Sequence, residues 1–122
     1  MSSRDIGERA EKAACIYLRS HGLKTVCQNF RCRFGEIDII MRDKTTLVFV
    51  EVRFRRQADY GHPVETVDRH KQERIGRTAQ IFLQENPKFT DHELRFDVIG
   101  IKPDRDNPDR YAFDWIRHAF EF

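Results

Sequence analysis

The sequence predicts an α/β fold in which a mixed sheet is flanked by helices. Apolar residues recur at helical spacing in residues 6–18 and again in residues 64–82. Between these two stretches lies a hairpin signal, and after them come two further strand-like runs. The resulting order, αβββαββ, allows the strand after the second helix to return parallel to the strand before it. A chain of 122 residues can bury a sufficient core as one domain.

The first helix is predicted from the stripe formed by Ile6, Ala10, Ala13, Ala14, Tyr17 and Leu18. Gly22, just after His21, is placed to end it. The segment Asp5-Ile6-Gly7-Glu8 has capping-box spacing, which makes Asp5 the expected N-cap and Glu8 the third helical residue. Residues 23–33 then read as an irregular strand.

A hairpin follows the irregular strand. Residues 36–41 and 47–54 are rich in Ile, Val and Phe, and Asp43-Lys44-Thr45-Thr46 separates them. Residues 55–63 are polar and contain the breaker Gly61-His62-Pro63. This pattern predicts two paired strands followed by a loop.

The second half of the chain predicts one more helix and two more strands. Val64, Val67, Ile75, Ala79 and Phe82 share one helical face. Residues 94–101 form an apolar strand interrupted by Arg95 and Asp97, and Asp97 is either a further acid or a paired core charge. After a loop at 103–110, alternating aromatic residues predict a last strand.

Composition excludes several protein classes. Charged residues make up 34% of the chain and the net charge is +2, yet ten Phe residues supply too much core material for a disordered chain. The longest apolar stretch, residues 13–18, is too short to span a membrane, and the first residues lack a secretory signal. The three cysteines lack CxxC spacing, which favours free thiols. We therefore expect a cytoplasmic protein without a membrane partner.

The hairpin brings two carboxylates together. If its turn is centred between Lys44 and Thr45, Asp38 faces Glu51 on the neighbouring strand. Strand alternation adds Glu36 and Arg53 to this face. Mg²⁺ binds through one or two carboxylates and takes water and phosphate oxygens as further ligands, so the pattern favours phosphodiester hydrolysis. The alternative is a solvated charged face, since a slip of one residue would separate the two acids.

These residues also resemble a known family. Gly35-Glu36-Ile37-Asp38, twelve intervening residues and then Glu51-Val52-Arg53 resemble the D…(D/E)-x-K signature of the PD-(D/E)XK nuclease superfamily. More closely, the chain resembles the YraN family of small bacterial proteins, which are similar to Holliday-junction resolvases. The resemblance runs through Gly7-Glu8-Arg9-Ala10, GEIDII, VFVEVRFR, Lys71-x-x-Arg74 and Arg95-Phe96-Asp97-Val98. It implies a single restriction-endonuclease-like domain, with the core order αβββαβ, over residues 1–122.

The resemblance also implies roles for individual residues. Asp38 and Glu51 match the metal-binding acids of the superfamily, the backbone carbonyl of Val52 matches a further ligand, and Glu8 matches an acid on the first helix that completes the site. The implied cofactor is Mg²⁺ or Mn²⁺. Arg53 departs from the pattern, which has lysine there. An arginine keeps the positive charge but cannot act as a general base near neutral pH.

Basic residues lie near the predicted site. Lys71 lies in the apolar stripe of the second helix, where it either points toward substrate phosphates or extends along the core edge. Further basic residues adjoin Phe34 and Phe54 at strand ends and suit a nucleic-acid backbone. The predicted contacts are Arg33, Arg55, Arg56, Lys71 and Arg74.

Three functional hypotheses follow from these residues. The first is a metal-dependent endonuclease that acts on structured or branched DNA, with DNA favoured over RNA. The second is a non-catalytic nucleic-acid-binding module on the same fold. The third is an interaction protein without a nucleic-acid ligand, since a fold does not determine an activity. Because junction enzymes often pair two sites, the resemblance also points to a homodimer.

Overall fold

The computed structural model describes residues 2–55, 63–107 and 110–122, with only the backbone described at 64 and 65. In this part of the chain, five strands form one sheet in the order β1-β2-β3-β4-β5. The predicted α/β class with a mixed sheet is confirmed, and so is the order αβββαββ. The elements are α1 (Ser3–Ser20), β1 (Lys24–Cys32), β2 (Gly35–Asp43), β3 (Thr46–Phe54), α2 (Arg69–Glu85), β4 (Glu93–Pro103) and β5 (Tyr111–Phe120).

The two helices cover opposite faces of the sheet. On one face, α1 packs through Ala10, Ala14 and Leu18 against a fully buried set that includes Ile39, Met41, Val48, Val50 and Ile99. On the other face, α2 packs through Ile75, Ala79 and Phe82 against a set that includes Ile37, Ile40, Leu47, Phe49 and Val98. Because the central strands are buried on both sides, their runs of Ile, Val and Phe are almost unbroken.

The ends of α1 differ in part from the sequence prediction. The N-cap is Ser2, whose hydroxyl accepts a hydrogen bond from the Asp5 N–H, and the Asp5 carboxylate accepts one from the Ser2 N–H. The capping box therefore lies three residues earlier than expected, because a serine provides the same cap as an aspartate. Gly22 ends the helix as predicted, with φ +95 and its N–H donating to Arg19.

The hairpin register of β2 and β3 is as predicted near the turn, but the ladder ends at Ile39 and Val50 and does not include the predicted pairing of Asp38 with Glu51. Ile40 pairs with Phe49 and Arg42 with Leu47, which centres the turn between Lys44 and Thr45. Beyond the hairpin, β3 and β4 pair in parallel over nine residues. The α2 crossover between them allows this arrangement.

Two elements of the second half differ from their predicted bounds. A 3₁₀ turn at Pro63–Thr66 precedes α2, which begins only after Asp68, because the Asp68 carboxylate caps the Lys71 N–H. Strand β5 extends to Phe120. It continues past an irregularity where His118 has φ +53 and its N–H donates to Asp97.

Asp97 is a paired core charge. Its side chain is fully buried and accepts two hydrogen bonds from Arg95, at 2.9 and 3.0 Å. The Trp115 indole N–H and the His118 backbone N–H also donate to it. Each oxygen is thus satisfied, and Asp97 serves to join β4 to β5.

The described residues contain neither a disulfide between the cysteines nor a helix that could span a membrane. The cysteines Cys15, Cys27 and Cys32 are free thiols. Neither of the two α-helices has the length and apolar composition needed to cross a membrane.

Candidate active site

The candidate site lies where β2 and β3 separate. Their pairing ends at Ile39 and Val50, although β2 continues to pair with β1 and β3 continues to pair with β4. Asp38, the next residue of β2, is therefore not a ladder partner of Glu51. Instead, its carboxylate reaches across the gap and accepts a hydrogen bond from the Val52 N–H at 2.8 Å. The side chain thus replaces a missing backbone acceptor at this fork.

Glu51 adjoins Asp38 in the same fork. The two side chains are 6% and 7% exposed, and they share a hydrogen bond. Burial first, and then the hydrogen bond and the negative charge of Asp38, raise the pKa of Glu51 to about 9. The charges of Lys71 and Arg53 act in the opposite direction. Without a metal cation nearby, Glu51 therefore keeps its proton at neutral pH.

Several buried polar atoms at this fork lack partners. Among the described residues, four buried side-chain atoms have no hydrogen-bond partner, and three of them are Glu51 Oε2, Arg53 Nε and Arg53 Nη2. Lys71 Nζ lies 3.7 Å from Glu51 Oε2, which is close enough for electrostatic attraction but not for a hydrogen bond. An unpaired acceptor and two unpaired donors thus share one pocket.

The pocket lies at the fork, between the two helices, and it has a volume of about 210 Å³. Its walls come from α1, β2, β3 and α2. The lining residues are Gly7, Ala10, Glu11, Glu36, Asp38, Glu51, Val52, Arg53, Phe54 and Lys71. On α1, the lining includes Gly7, which has no side chain, and Ala10, which has only a methyl group.

The donor set fits a hard divalent cation. Asp38 and Glu51 supply two carboxylates, and Glu51 Oε2 is a buried oxygen without a hydrogen bond. Within residues 2–55, 63–107 and 110–122, no three His, Cys, Asp or Glu side chains form a group that would hold a metal by themselves. Mg²⁺ commonly binds through one or two carboxylates together with water and phosphate oxygens, so two acids suffice. The Val52 N–H donates to Asp38. The Val52 carbonyl stays a predicted ligand.

On α1, the pocket receives Glu11 rather than Glu8. Glu8 is exposed and pairs with Arg4 at 3.3 Å, on a separate surface. Glu11 lines the acidic pocket, and its pKa is raised by burial first and by the charge of Asp38 second. The side chain of Asn29 hydrogen-bonds to Glu11 and lowers its pKa.

The sequence pattern selects Glu8 and misses Glu11, because the motif match falls on Glu8. A usable signal exists, since Glu11 lies one turn after Gly7 and next to the buried Ala10. Glu36, which alternation placed on the Asp38 face, lines the pocket and is paired with Arg31 at 2.9 Å.

The predicted basic contacts lie on α2, in the turn between β1 and β2, and directly after β3. Lys71 and Arg74 are one turn apart on α2, and Arg74 Nε donates to the carbonyl of Phe34 at 3.0 Å. Arg33 is exposed beside Phe34 in the turn between β1 and β2. Arg55 follows β3, and its backbone N–H donates to Ile101. Arg56 lies outside the described residues.

Comparisons with known proteins place the whole chain in one family. The model of the "Uncharacterised protein family UPF0102" matches residues 10–101. A UPF0102 protein of Pseudomonas aeruginosa is 43% identical over 121 residues, covering 98% of this chain and 95% of that protein. UPF0102 proteins of Alcanivorax borkumensis and Coxiella burnetii are each 44% identical over 119 residues, with 98% and 94% coverage. The chain therefore belongs to the uncharacterised protein family UPF0102.

Proposed function

We propose that this protein is a metal-dependent endonuclease that hydrolyses phosphodiester bonds in structured or branched DNA. Asp38 and Glu51 would hold Mg²⁺ or Mn²⁺, with the Val52 carbonyl as a further ligand. Arg53 and Lys71 would contact the scissile phosphate. DNA as the preferred ligand, and a homodimer as the acting species, are parts of this proposal.

The observation that supports it most is the clustering, in one pocket, of buried polar atoms without hydrogen-bond partners. Glu51 Oε2 is a buried acceptor without a hydrogen bond, while Arg53 Nε and Nη2 are buried donors without one. Leaving such atoms unsatisfied costs about 1 to 3 kcal/mol each. A cation on the acid side and a phosphate on the arginine side would satisfy both sets at once.

The side chains of the pocket suit the charges of the reaction. Phosphodiester cleavage places extra negative charge on the phosphate oxygens, and preorganised cations stabilise that charge. Lys71 lies beside Glu51, and Arg53 lines the same pocket. A bound Mg²⁺ would supply Lewis-acid polarisation of the phosphate and of the attacking water. Glu8 and Glu11 are the two α1 candidates for orienting that water.

A non-catalytic nucleic-acid-binding module remains the second candidate because of Arg53. Arginine occupies the position where the nuclease signature has lysine, and it retains its proton near neutral pH. Such a module would keep the cationic contacts and lose hydrolysis.

A cleavage panel separates the two candidates. Junction, flap, single-stranded and duplex DNA would be incubated with the protein in Mg²⁺, in Mn²⁺ or in chelator. We expect metal-dependent cutting that is lost in Asp38→Asn and Glu51→Gln. Asp91→Asn and Glu85→Gln, which change exposed acids away from the pocket, are the matched controls. Binding without cutting in all metals would select the binding module, and neither binding nor cutting would refute both.

A further inference from the structure

Phe34 lies in the turn between β1 and β2 and is surrounded by three arginines. The guanidinium carbon of Arg33 is 4.8 Å from the ring centroid, and that of Arg77 is 5.8 Å from it. Arg74 donates from Nε to the Phe34 carbonyl at 3.0 Å. Both ring contacts are within the range of cation–π attraction. An aromatic ring and three cations therefore form one cluster.

No carboxylate of the described residues forms an ion pair with this cluster. In the described part of the chain, Arg33, Arg74 and Arg77 are exposed and form no ion pair with a carboxylate. Two other exposed arginines, Arg4 and Arg31, each pair with a glutamate. Three unpaired guanidinium groups around one ring suit a ligand that combines negative charge with a flat face.

The turn that carries Phe34 is held against α2. Gly35 has φ +144, a conformation that favours glycine. A Cβ atom at this position would lie 3.5 Å from Arg74 Nη2 and 3.8 Å from Thr78 Oγ1. The turn thus lies within van der Waals reach of α2, and the hydrogen bond from Arg74 to the Phe34 carbonyl joins the two.

The cluster is continuous with the acidic pocket. Lys71, Arg74 and Arg77 follow each other at intervals of three residues on α2, an axial rise of about 4.5 Å for each step. Lys71 begins this series beside Glu51, and Arg77 ends it beside Phe34. A nucleic-acid strand whose phosphate occupied the pocket could follow these cations and bring a neighbouring nucleotide to the ring.

We propose that Phe34 is a stacking platform for an unpaired nucleobase, with Arg33, Arg74 and Arg77 on the adjoining phosphates. This inference rests on the proposed function and narrows its substrate class. The substrate is a nucleic acid with an unpaired nucleotide beside the cleavage point, such as a flap, a gap or a branched end. Aromatic stacking and arginine contacts are the usual means of holding single strands, and a base inside a continuous duplex has no free face to offer.

The test measures binding of labelled oligothymidylate, oligouridylate and blunt duplex DNA to wild type and to three variants. Phe34→Leu removes the aromatic ring, and Phe34→Tyr retains it. Phe113→Leu is the matched control, because Phe113 is also half-buried but packs on Tyr17 on the opposite face of the sheet. We expect Phe34→Leu to weaken single-strand binding by roughly five- to a hundredfold and duplex binding by far less. Phe34→Tyr and Phe113→Leu should bind single strands as wild type does.

Each outcome bears on this inference separately from the proposed function. Equal single-strand binding by Phe34→Leu and wild type would overturn the stacking role while leaving hydrolysis in place. Ring-dependent binding together with no cleavage in any metal would support the stacking role and refute hydrolysis. If Phe34→Leu does not fold, loss of binding in Phe34→Tyr would still overturn the inference. The two single-stranded probes show whether the base comes from DNA or RNA.

Discussion

The Asp38 carboxylate accepts a hydrogen bond from the Val52 N–H at 2.8 Å, at the position where β2 and β3 stop pairing. One oxygen of Asp38 is thereby held in the gap between the strands, next to the buried Glu51. The same separation of the strands makes room for a pocket. The hydrogen bond from Val52 thus orients the Asp38 carboxylate at the place where the sheet opens.

The raised pKa of Glu51 predicts that the metal-free protein loses stability as pH rises. The folded value is about 9, whereas an unfolded glutamate titrates near 4.5. Below pH 4.5 both states are protonated. Between these two values only the folded state keeps the proton, so the free energy of unfolding falls by at most about 1.4 kcal/mol per pH unit. Denaturant unfolding in chelator from pH 5 to 9 measures this slope.

Glu51→Gln is the control for that measurement, because glutamine cannot titrate. Its stability profile should lack the fall attributed to Glu51 while keeping the contributions of all other groups. Parallel profiles for wild type and Glu51→Gln would show that Glu51 titrates normally in the folded protein.

Metal binding should stabilise the folded state. At a hundredfold excess over its dissociation constant, Mg²⁺ or Mn²⁺ would add about 2.7 kcal/mol to the free energy of unfolding. Thermal melts should show this rise in wild type and lose most of it in Asp38→Asn. Without metal, Asp38→Asn should be at least as stable as wild type, because its amide oxygen can still accept from Val52 and the Asp38 charge, which raises the pKa of Glu51, is removed. A destabilised metal-free variant and no metal effect in wild type would refute the paired-carboxylate site.

The hairpin shows how far sequence reasoning reached. The turn at Lys44 and Thr45 and the alternation of apolar residues were sufficient to assign the register, and with it the closeness of Asp38 and Glu51. The separation of the strands beyond Ile39 was not predictable, because it depends on the pairing of β2 with β1 and of β3 with β4. The unpaired atoms of Arg53 and Glu51 likewise result from packing by both helices.

The acid on α1 can be identified by comparing two glutamates. Glu11 lines the pocket and interacts electrostatically with Asp38, whereas Glu8 is exposed and paired with Arg4. We therefore expect Glu11→Gln to lower metal-dependent cleavage by at least tenfold, a rise of at least ~1.4 kcal/mol in the activation barrier, and Glu8→Gln to lower it less. Single-turnover cleavage rates measure both. The reverse order would assign the role to Glu8, as the family resemblance implied.

This ambiguity on α1 has a physical origin. The two glutamates are three residues apart and so lie on nearly the same side of the helix. Their difference depends on the rotation of α1 about its axis, which is set by the packing of Ala10, Ala14 and Leu18 against the sheet. A motif match does not determine how α1 is rotated about its axis, so it cannot tell which glutamate faces the pocket.

The basic residues after β3 should govern the salt dependence of binding. Replacing Arg55 and Arg56 with Ala should weaken binding to all nucleic-acid sequences and make the salt slope shallower, by about 0.7 to 0.9 for each phosphate that the variant no longer neutralises. Arg19→Ala is the control, because Arg19 lies about 18 Å along α1 from Gly7, which lines the pocket. Titrations at several salt concentrations measure the slope. An unchanged slope in the double variant would exclude these two arginines from the interface.

Arg53 decides whether the departure from the nuclease signature matters. Its Nε and Nη2 atoms have no hydrogen-bond partner in the described part of the chain, so the protein itself makes little use of the guanidinium shape. Arg53→Lys keeps the charge and should leave cleavage within about tenfold of wild type or raise it, a change of ~1.4 kcal/mol or less in the barrier. Arg53→Met removes the charge and should lower cleavage further, and it should also raise the pKa of Glu51, which Arg53 now lowers. Cleavage rates for the two variants on one flap substrate give the comparison. If Arg53→Lys abolishes cleavage as completely as Arg53→Met does, the planar guanidinium must contact the phosphate through two donors, which a lysine cannot reproduce.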